Sequence, residues 1–289
     1  MAKIGLIQVD NKMSPEIADR QDALIELAEA CFREGADLVF FPEAFQYVHH
    51  REVRADRELL ARIGEEWRAR CSELAKKYHA YLVPWDYTLD GEGRVYNTSY
   101  ILDRDGNEIG SYSKCNITHS EIKAGITPGC EYRTFDLDFG RIGIIICFDN
   151  YFPDAVASLG NKGAVLVLYP LYGDTLKPQW ELKLRCRAAD HSLYMASCQL
   201  DPFFDIAYTG LVDPEGEVIA KLDTVHSYRV VEVDTERIVR TNTAAISGFT
   251  GENLREYLHR CRNRKAAAAL TEESTPVRSW NDIYFGNEP

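Results

Sequence analysis

The chain repeats itself, and the repeat limits the folds open to it. Lys3-Ile-Gly-Leu-Ile returns as Arg141-Ile-Gly-Ile-Ile, and Gly35-Ala-Asp-Leu-Val-Phe-Phe-Pro42 returns as Gly163-Ala-Val-Leu-Val-Leu-Tyr-Pro170. Later in each half, Leu102-Asp-Arg-Asp-Gly106 is answered by Val212-Asp-Pro-Glu-Gly216. Short apolar strands resemble one another by chance, but three matches in the same order are poorly explained that way. The two halves therefore read as β-α-β-α-β-β units that together make one α/β domain, with two sheets packed on each other and helices outside. With 289 residues, 45% of them hydrophobic, the chain has enough apolar surface for such a core. We assign residues 1–250 to this domain, and 251–289 to a C-terminal helix and tail that pack on the domain or on a partner subunit.

The elements follow from periodicity and punctuation. Lys3 to Val9 and Ala36 to Phe41 read as buried strands. Between them Ser14-Pro15-Glu16 is a helix start, with Ser14 as N-cap, and apolar positions at helical spacing continue until Gly35. A longer helix is expected from about Arg54 to Tyr78, with Leu60, Ile63, Trp67, Cys71 and Leu74 on one face. Strands follow at Tyr81 to Tyr87 and Tyr96 to Asp103, then a hairpin at Arg104-Asp105-Gly106-Asn107. The polar segment Cys115 to Glu131 reads as loop. The second half continues with a helix over Lys177 to Ala189 and a strand over Leu193 to Gln199. A last helix is expected from Glu252 to about Ala269, and Trp280, Tyr284 and Phe285 in the tail favour docking over disorder.

Three reactive side chains stand at the ends of secondary-structure elements, two of them apolar strands. Ile144-Ile-Ile-Cys147 runs into a turn and then Pro153-Asp154, a helix start. Taken alone Cys147 would be a small core residue, since free cysteines are commonly buried and inert. Glu43 ends Val-Phe-Phe-Pro-Glu, where an unpaired carboxylate needs a partner. Lys114 is delivered by the return strand of the first hairpin. A cysteine beyond a strand's carboxyl end, where α/β sheets keep their chemistry, reads with these companions as a nucleophile.

Composition removes other classes. A net charge of −12 argues against nucleic acid or an anionic membrane as partner. Eight cysteines without a C-x-x-C pair or regular framework read as reduced thiols. No 18-residue apolar stretch or secretory leader is present, so the expected location is cytoplasmic. The seven histidines form no metal-ligand spacing, and no glycine-rich phosphate loop occurs, so no metal or cofactor is expected.

With Phe-Phe-Pro-Glu43, Tyr-Ser-Lys114 and Ile-Cys147-Phe-Asp in this order, the chain from residue 3 to about 235 resembles the nitrilase superfamily of carbon–nitrogen hydrolases. The resemblance implies a four-layer α-β-β-α sandwich and a Glu-Lys-Cys catalytic set. It makes Cys147 the nucleophile, Glu43 the general base, and Lys114 with the backbone N–H of Phe148 the holders of the oxyanion. Glu121, seven residues past Lys114, resembles a second glutamate that orients the lysine or assists proton transfer. Tyr172 and Trp180, after the second proline-ended strand, fall in a region that lines the pocket in relatives. The expected activity is cofactor-independent hydrolysis of a small linear amide through a thioester, with water as co-substrate. Association into a homodimer or larger homo-oligomer is also implied.

Departures bear on the substrate. Many relatives carry an arginine suited to a substrate carboxylate four residues after the cysteine; Tyr151 stands there, which weighs against a carboxylate-bearing substrate. Asn116 replaces a frequent histidine, and Arg187-Ala-Ala-Asp190-His191 stands for Arg-Ala-x-Glu-Asn. An N-carbamoyl amine hydrolase or a nitrilase would use the same triad. A Cys147–His119 pair would leave Glu43 and Lys114 unexplained, and a silent binding protein would have no need to keep all three groups. On physical grounds, a water-excluded lysine should lower the thiol pKa, and two carboxylates around one ammonium should raise at least one carboxylate pKa.

Overall fold

The apolar runs of the repeat become the central strands of two sheets. The computed structural model describes residues 1–48, 50–173, 179–200, 209–237 and 254–262. The first half comprises β1 (Ala2–Gln8), α1 (Ile17–Arg33), β2 (Leu38–Phe40), α2 (Arg57–Tyr78), β3 (Tyr81–Val83), β4 (Trp85–Leu89), β5 (Val95–Leu102) and β6 (Glu108–Ser113). A short helix, α3 (His119–Lys123), and β7 (Thr134–Leu137) lead into the second half. That half holds β8 (Gly140–Ile144), α4 (Pro153–Asn161), β9 (Leu166–Leu171), α5 (Gln179–His191), β10 (Tyr194–Gln199), β11 (Thr209–Val212) and β12 (Val218–Leu222). The chain then crosses back as β13 (Ser227–Val233), antiparallel to β1 from Ala2↔Val233 to Gln8↔Ser227.

The sheet orders are β13-β1-β2-β3-β5-β4, with β6 also on β5, and β12-β11-β10-β9-β8-β7. In each, three parallel strands from alternating β-α units are followed by antiparallel hairpin strands, as the repeat requires. The helices α1 and α2 pack on the first sheet and α4 and α5 on the second, while β1 meets β10 and β11 between the sheets. This is the α-β-β-α sandwich. A polar seam joins the two inner faces: Gln8 Nε2 donates to the Gln199 carbonyl at 3.1 Å, and Thr209 Oγ1 donates to Gln8 Oε1 at 2.7 Å.

The repeated glycine has a packing reason in both halves. A Cβ on Gly5 would lie 2.6 Å from Val39 Cγ2 and 2.8 Å from Cys31 Cβ, and one on Gly143 would lie 2.7 Å from Leu159 Cδ1. Only a glycine lets α1 and α4 approach β1 and β8 this closely.

Several expectations need correction. Ser14 does not cap α1; its hydroxyl accepts the Glu16 N–H at 3.2 Å in a turn, and the helix begins three residues later. The long helix starts at Arg57, capped by Asp56 Oδ1 on the Leu59 N–H at 3.0 Å, and Arg51–Arg54 form a separate 3₁₀ turn. Pro84, which has no N–H to give, splits the strand expected over Tyr81–Tyr87 into β3 and β4. The presumed loop after Cys115 contains α3. The chain divides into two compact units, Met1–Arg237 and Ile238–Pro289. In the second, α6 (Leu254–Cys261) falls within the expected last helix, whose remainder lies outside the described residues along with Trp280, Tyr284 and Phe285.

Candidate active site

Glu43 follows β2 through Phe41 and Pro42, and Ala44, at φ 62°, turns the chain away into a 3₁₀ turn over Phe45–Tyr47. The carboxylate is thereby left at the strand end, 4% exposed. Its Oε1 accepts Lys114 Nζ at 3.0 Å and Asn97 Nδ2 at 2.7 Å, and its Oε2 accepts the Tyr172 N–H at 2.9 Å. Lys114 extends β6 by one more pairing, its N–H on the Asn97 carbonyl at 2.8 Å, and turns its ammonium inward. There it also meets Glu121 Oε1 at 3.0 Å and Oε2 at 2.9 Å.

Glu121 is set by a capping box. Its Oε2 accepts the Thr118 N–H at 2.8 Å, while Thr118 Oγ1 accepts the Glu121 N–H at 3.3 Å. Asn97 joins the two glutamates, since its Nδ2 also donates to Glu121 Oε1 at 2.7 Å, and the Trp85 indole N–H fixes its Oδ1 at 2.7 Å.

Cys147 arrives from the other sheet. Its φ of 45° lies in the left-handed region, a conformation costing a cysteine of the order of 1–2 kcal/mol, and it lifts the side chain off the line of β8. Two contacts hold the turn: Tyr169 OH donates to the Cys147 carbonyl at 3.0 Å, and Asp149 Oδ2 accepts the Ile146 N–H at 3.0 Å. Asp149 ties this turn to the segment after Lys114, because its Oδ1 accepts the Asn116 N–H at 2.8 Å and its Oδ2 accepts Tyr112 OH at 2.7 Å. The thiol shares one cavity with Glu43 and Lys114.

The electrostatics correct the expected thiol shift. Burial is the largest influence on Cys147 and pushes its pKa up; Glu43 adds to this, and Lys114 opposes both without reversing them. The resting Cys147 side chain is therefore held as the thiol, and attack through its sulfur would require a base. Burial also disfavours the Lys114 charge, yet Glu43, Cys147 and Glu121 together hold its pKa well above the ordinary value. For Glu121, burial acts upward but is outweighed by Lys114, the Thr118 N–H and Asn97, so its pKa falls rather than rises.

Glu43, Lys114, Glu121, Cys147 and Tyr172 line one cavity of about 370 Å³, with Tyr47, Arg54, Tyr87 and Thr118 also on its wall. Trp180, Tyr151 and Phe148 are not among the described residues lining it. Trp180 is instead buried in the outer core, 5.6 Å from the Tyr169 ring and 5.8 Å from Tyr151, and Phe148 packs at 5.0 Å on Tyr151. Asn97 escaped the sequence reading, although an asparagine within a buried strand is a signal of polar work. Asp149 stood inside the cysteine motif without a role. Among the described residues no cluster of His, Cys, Asp or Glu is arranged for a metal, and no helix is long and apolar enough to cross a membrane.

The sequence matches the carbon–nitrogen hydrolase family over residues 3–243, and the chain belongs to that family. It is thus an enzyme of the nitrilase superfamily. Similar proteins include omega-amidase NIT2 of Homo sapiens, 28% identical over 251 residues that cover 82% of this chain and 90% of the relative. Omega-amidase NIT3 of Saccharomyces cerevisiae is 28% identical over 262 residues, covering 82% and 88%. Among solved structures, an amidase from Nesterenkonia sp. AN1 in complex with butyramide superposes with a TM-score of 0.73 at 19% identity, covering 93% of this chain and 96% of that one.

Proposed function

We propose that this hydrolase is an amidase that cleaves a small linear amide through a Cys147 thioester. The observation that carries the reading is the placement of the Glu43 carboxylate, which bonds the Lys114 ammonium at 3.0 Å and lines one cavity with Cys147. Glu43 takes the thiol proton as sulfur attacks the amide carbonyl, then passes that proton to the departing nitrogen. Ammonia leaves and the thioester remains. Glu43 next takes a proton from water, the hydroxide attacks the thioester, and the proton returns to sulfur as the acid departs.

Lys114 stays charged throughout this cycle, so it suits the oxyanion and not the base. Its ammonium, with the Phe148 N–H, stabilises negative charge on the carbonyl oxygen in a site that excludes bulk water. Glu121 holds the ammonium in place, and Asn97 holds both glutamates. The names of the omega-amidase relatives support amides over nitriles as substrates.

Ammonia release from a panel of small amides, N-carbamoyl amines and nitriles tests this. Amides are expected to release ammonia with the parent enzyme, with losses of at least about a thousandfold in Cys147→Ala and Glu43→Gln. Release from carbamoyl compounds or nitriles alone would transfer the triad to those substrates. Ammonia unaffected by Cys147→Ala would overturn the mechanism.

A further inference from the structure

Glu43 leads into a turn that local backbone preference does not hold in place. Ala44, in the left-handed region at φ 62°, and the 3₁₀ turn Phe45–Tyr47 follow it directly. That conformation is disfavoured for alanine and persists only where its surroundings over-determine it. Two fully buried polar side chains supply those surroundings. From α1, Arg20 Nη1 donates to the Phe45 carbonyl at 3.0 Å. From β4, Asp86 Oδ1 accepts Tyr47 OH at 2.9 Å and Gln46 Nε2 at 3.2 Å. Each residue of the turn is therefore tied to a side chain from another element.

A fully buried carboxyl group is costly to keep, and the fold is shaped around this one. Gly64, in the interior of α2, leaves it room: an added Cβ there would lie 3.0 Å from Asp86 Oδ2. Glycine is a poor helix former, so its place inside α2 has this close approach as its reason. Trp85, one residue earlier on β4, bonds Asn97 at 2.7 Å, and Asn97 bonds the Glu43 carboxylate at 2.7 Å. Neighbouring residues of one strand thus reach Glu43 by two routes, Trp85 through its carboxylate and Asp86 through the backbone that follows it. We infer that Asp86 is a positioning residue for the reaction. By fixing the Phe45–Tyr47 turn, it keeps the Glu43 carboxylate on Lys114 and the Tyr172 N–H, and keeps Tyr47 in the cavity wall. The effect on turnover rests on the amidase reading; the effect on the placement of Glu43 does not.

The test compares the parent with Asp86→Ala, Asp86→Asn, Tyr47→Phe and the double variant Asp86→Ala/Tyr47→Phe. Each is assayed for kcat and KM on the best amide of the panel, and for native-state hydrogen exchange at the Tyr172 amide, which donates to Glu43 Oε2. Asp86→Ala is expected to lower kcat by about 5- to 30-fold with KM within about threefold of the parent. It should also speed Tyr172 exchange by at least about fivefold relative to the amides of β10. Tyr47→Phe breaks the same bond from its other end, so the double variant should lose little more than the worse single one. Asp86→Asn keeps an acceptor for the Tyr47 hydroxyl and should recover most of both effects. A merely structural role would speed exchange at Tyr172 and β10 alike and leave kcat of the folded enzyme unmoved, which would overturn the inference; additive losses in the double variant would do the same. A Tyr172 response in an enzyme whose parent turns over no amide would sink the amidase reading and keep the positioning role, whereas neither turnover nor response would sink both.

Discussion

Replacing Asn97 with alanine tests whether one amide group sets both glutamates. Its Nδ2 makes two bonds of 2.7 Å to carboxylates, and its Oδ1 satisfies the Trp85 indole. Hydrogen bonds to charged groups contribute roughly 1.5–3 kcal/mol each, and an orphaned buried indole N–H costs about 1–3 kcal/mol. These terms share partners and do not add. A water entering the vacated space would also find Glu43, Glu121 and Trp85 as ready partners. The expected net loss is therefore about 2–4 kcal/mol, a large part of an ordinary stability of about 5–15 kcal/mol. Urea unfolding followed by circular dichroism reads this directly. With Glu43 less firmly placed, kcat for ammonia release should fall by about 10- to 100-fold with a smaller change in KM. Asn97→Asp should be worse than alanine at pH 8, because it sets a third carboxylate against the other two, and the gap should narrow near pH 5. A loss below about 0.5 kcal/mol with kcat within twofold of the parent would refute the role given to Asn97.

Two further perturbations test the scaffold. Burial raises the Asp86 pKa from 3.8 to about 7, so the native state keeps a proton that the unfolded chain releases; stability should fall as pH rises between those values and level off above. Asp86→Asn should flatten that slope in urea titrations, and a parent-minus-variant difference independent of pH would contradict it. Gly5→Ala should cost about 1–3 kcal/mol, because the new methyl meets the stems of Val39 and Cys31, and Gly143→Ala should cost less, since it meets the movable end of Leu159. Thermal unfolding in which Gly143→Ala proves the more damaging would reverse that account.

The repeat was legible because β1, β2, β8 and β9 are apolar on both faces and end in recognisable punctuation. Glu43 and Cys147 stood out because each is a reactive group where an apolar strand stops, and Lys114 because it ends the return strand of a hairpin. The helix α3 was missed on length, five residues being too few for periodicity, although Thr118-x-x-Glu121 carries the capping-box spacing. Asn97 and Glu43 meet across 54 positions, and no local pattern encodes such a contact. Trp180 shows the converse limit, since an aromatic after a strand can face the cavity or the covering helix, and here it stacks on Tyr169 in the outer layer. The direction of the thiol shift depended on how the half-buried Cys147 is set among Glu43, Lys114 and the surrounding protein, which the motif does not carry.

The polar seam through Gln8, Gln199 and Thr209 has a consequence for the newborn chain. Glu43, Lys114, Glu121 and Asn97 are all translated before Cys147, and of the contacts that hold Glu43 only the Tyr172 N–H comes after it. The thiol belongs to the other half, which has no base of its own for it. On the proposed mechanism, chemistry begins only when the two faces close along the seam, so the fold would work as an interlock. An incompletely assembled chain carries a cysteine no more aggressive than any other, and recovery of activity during refolding should follow closure of the halves instead of formation of the strands.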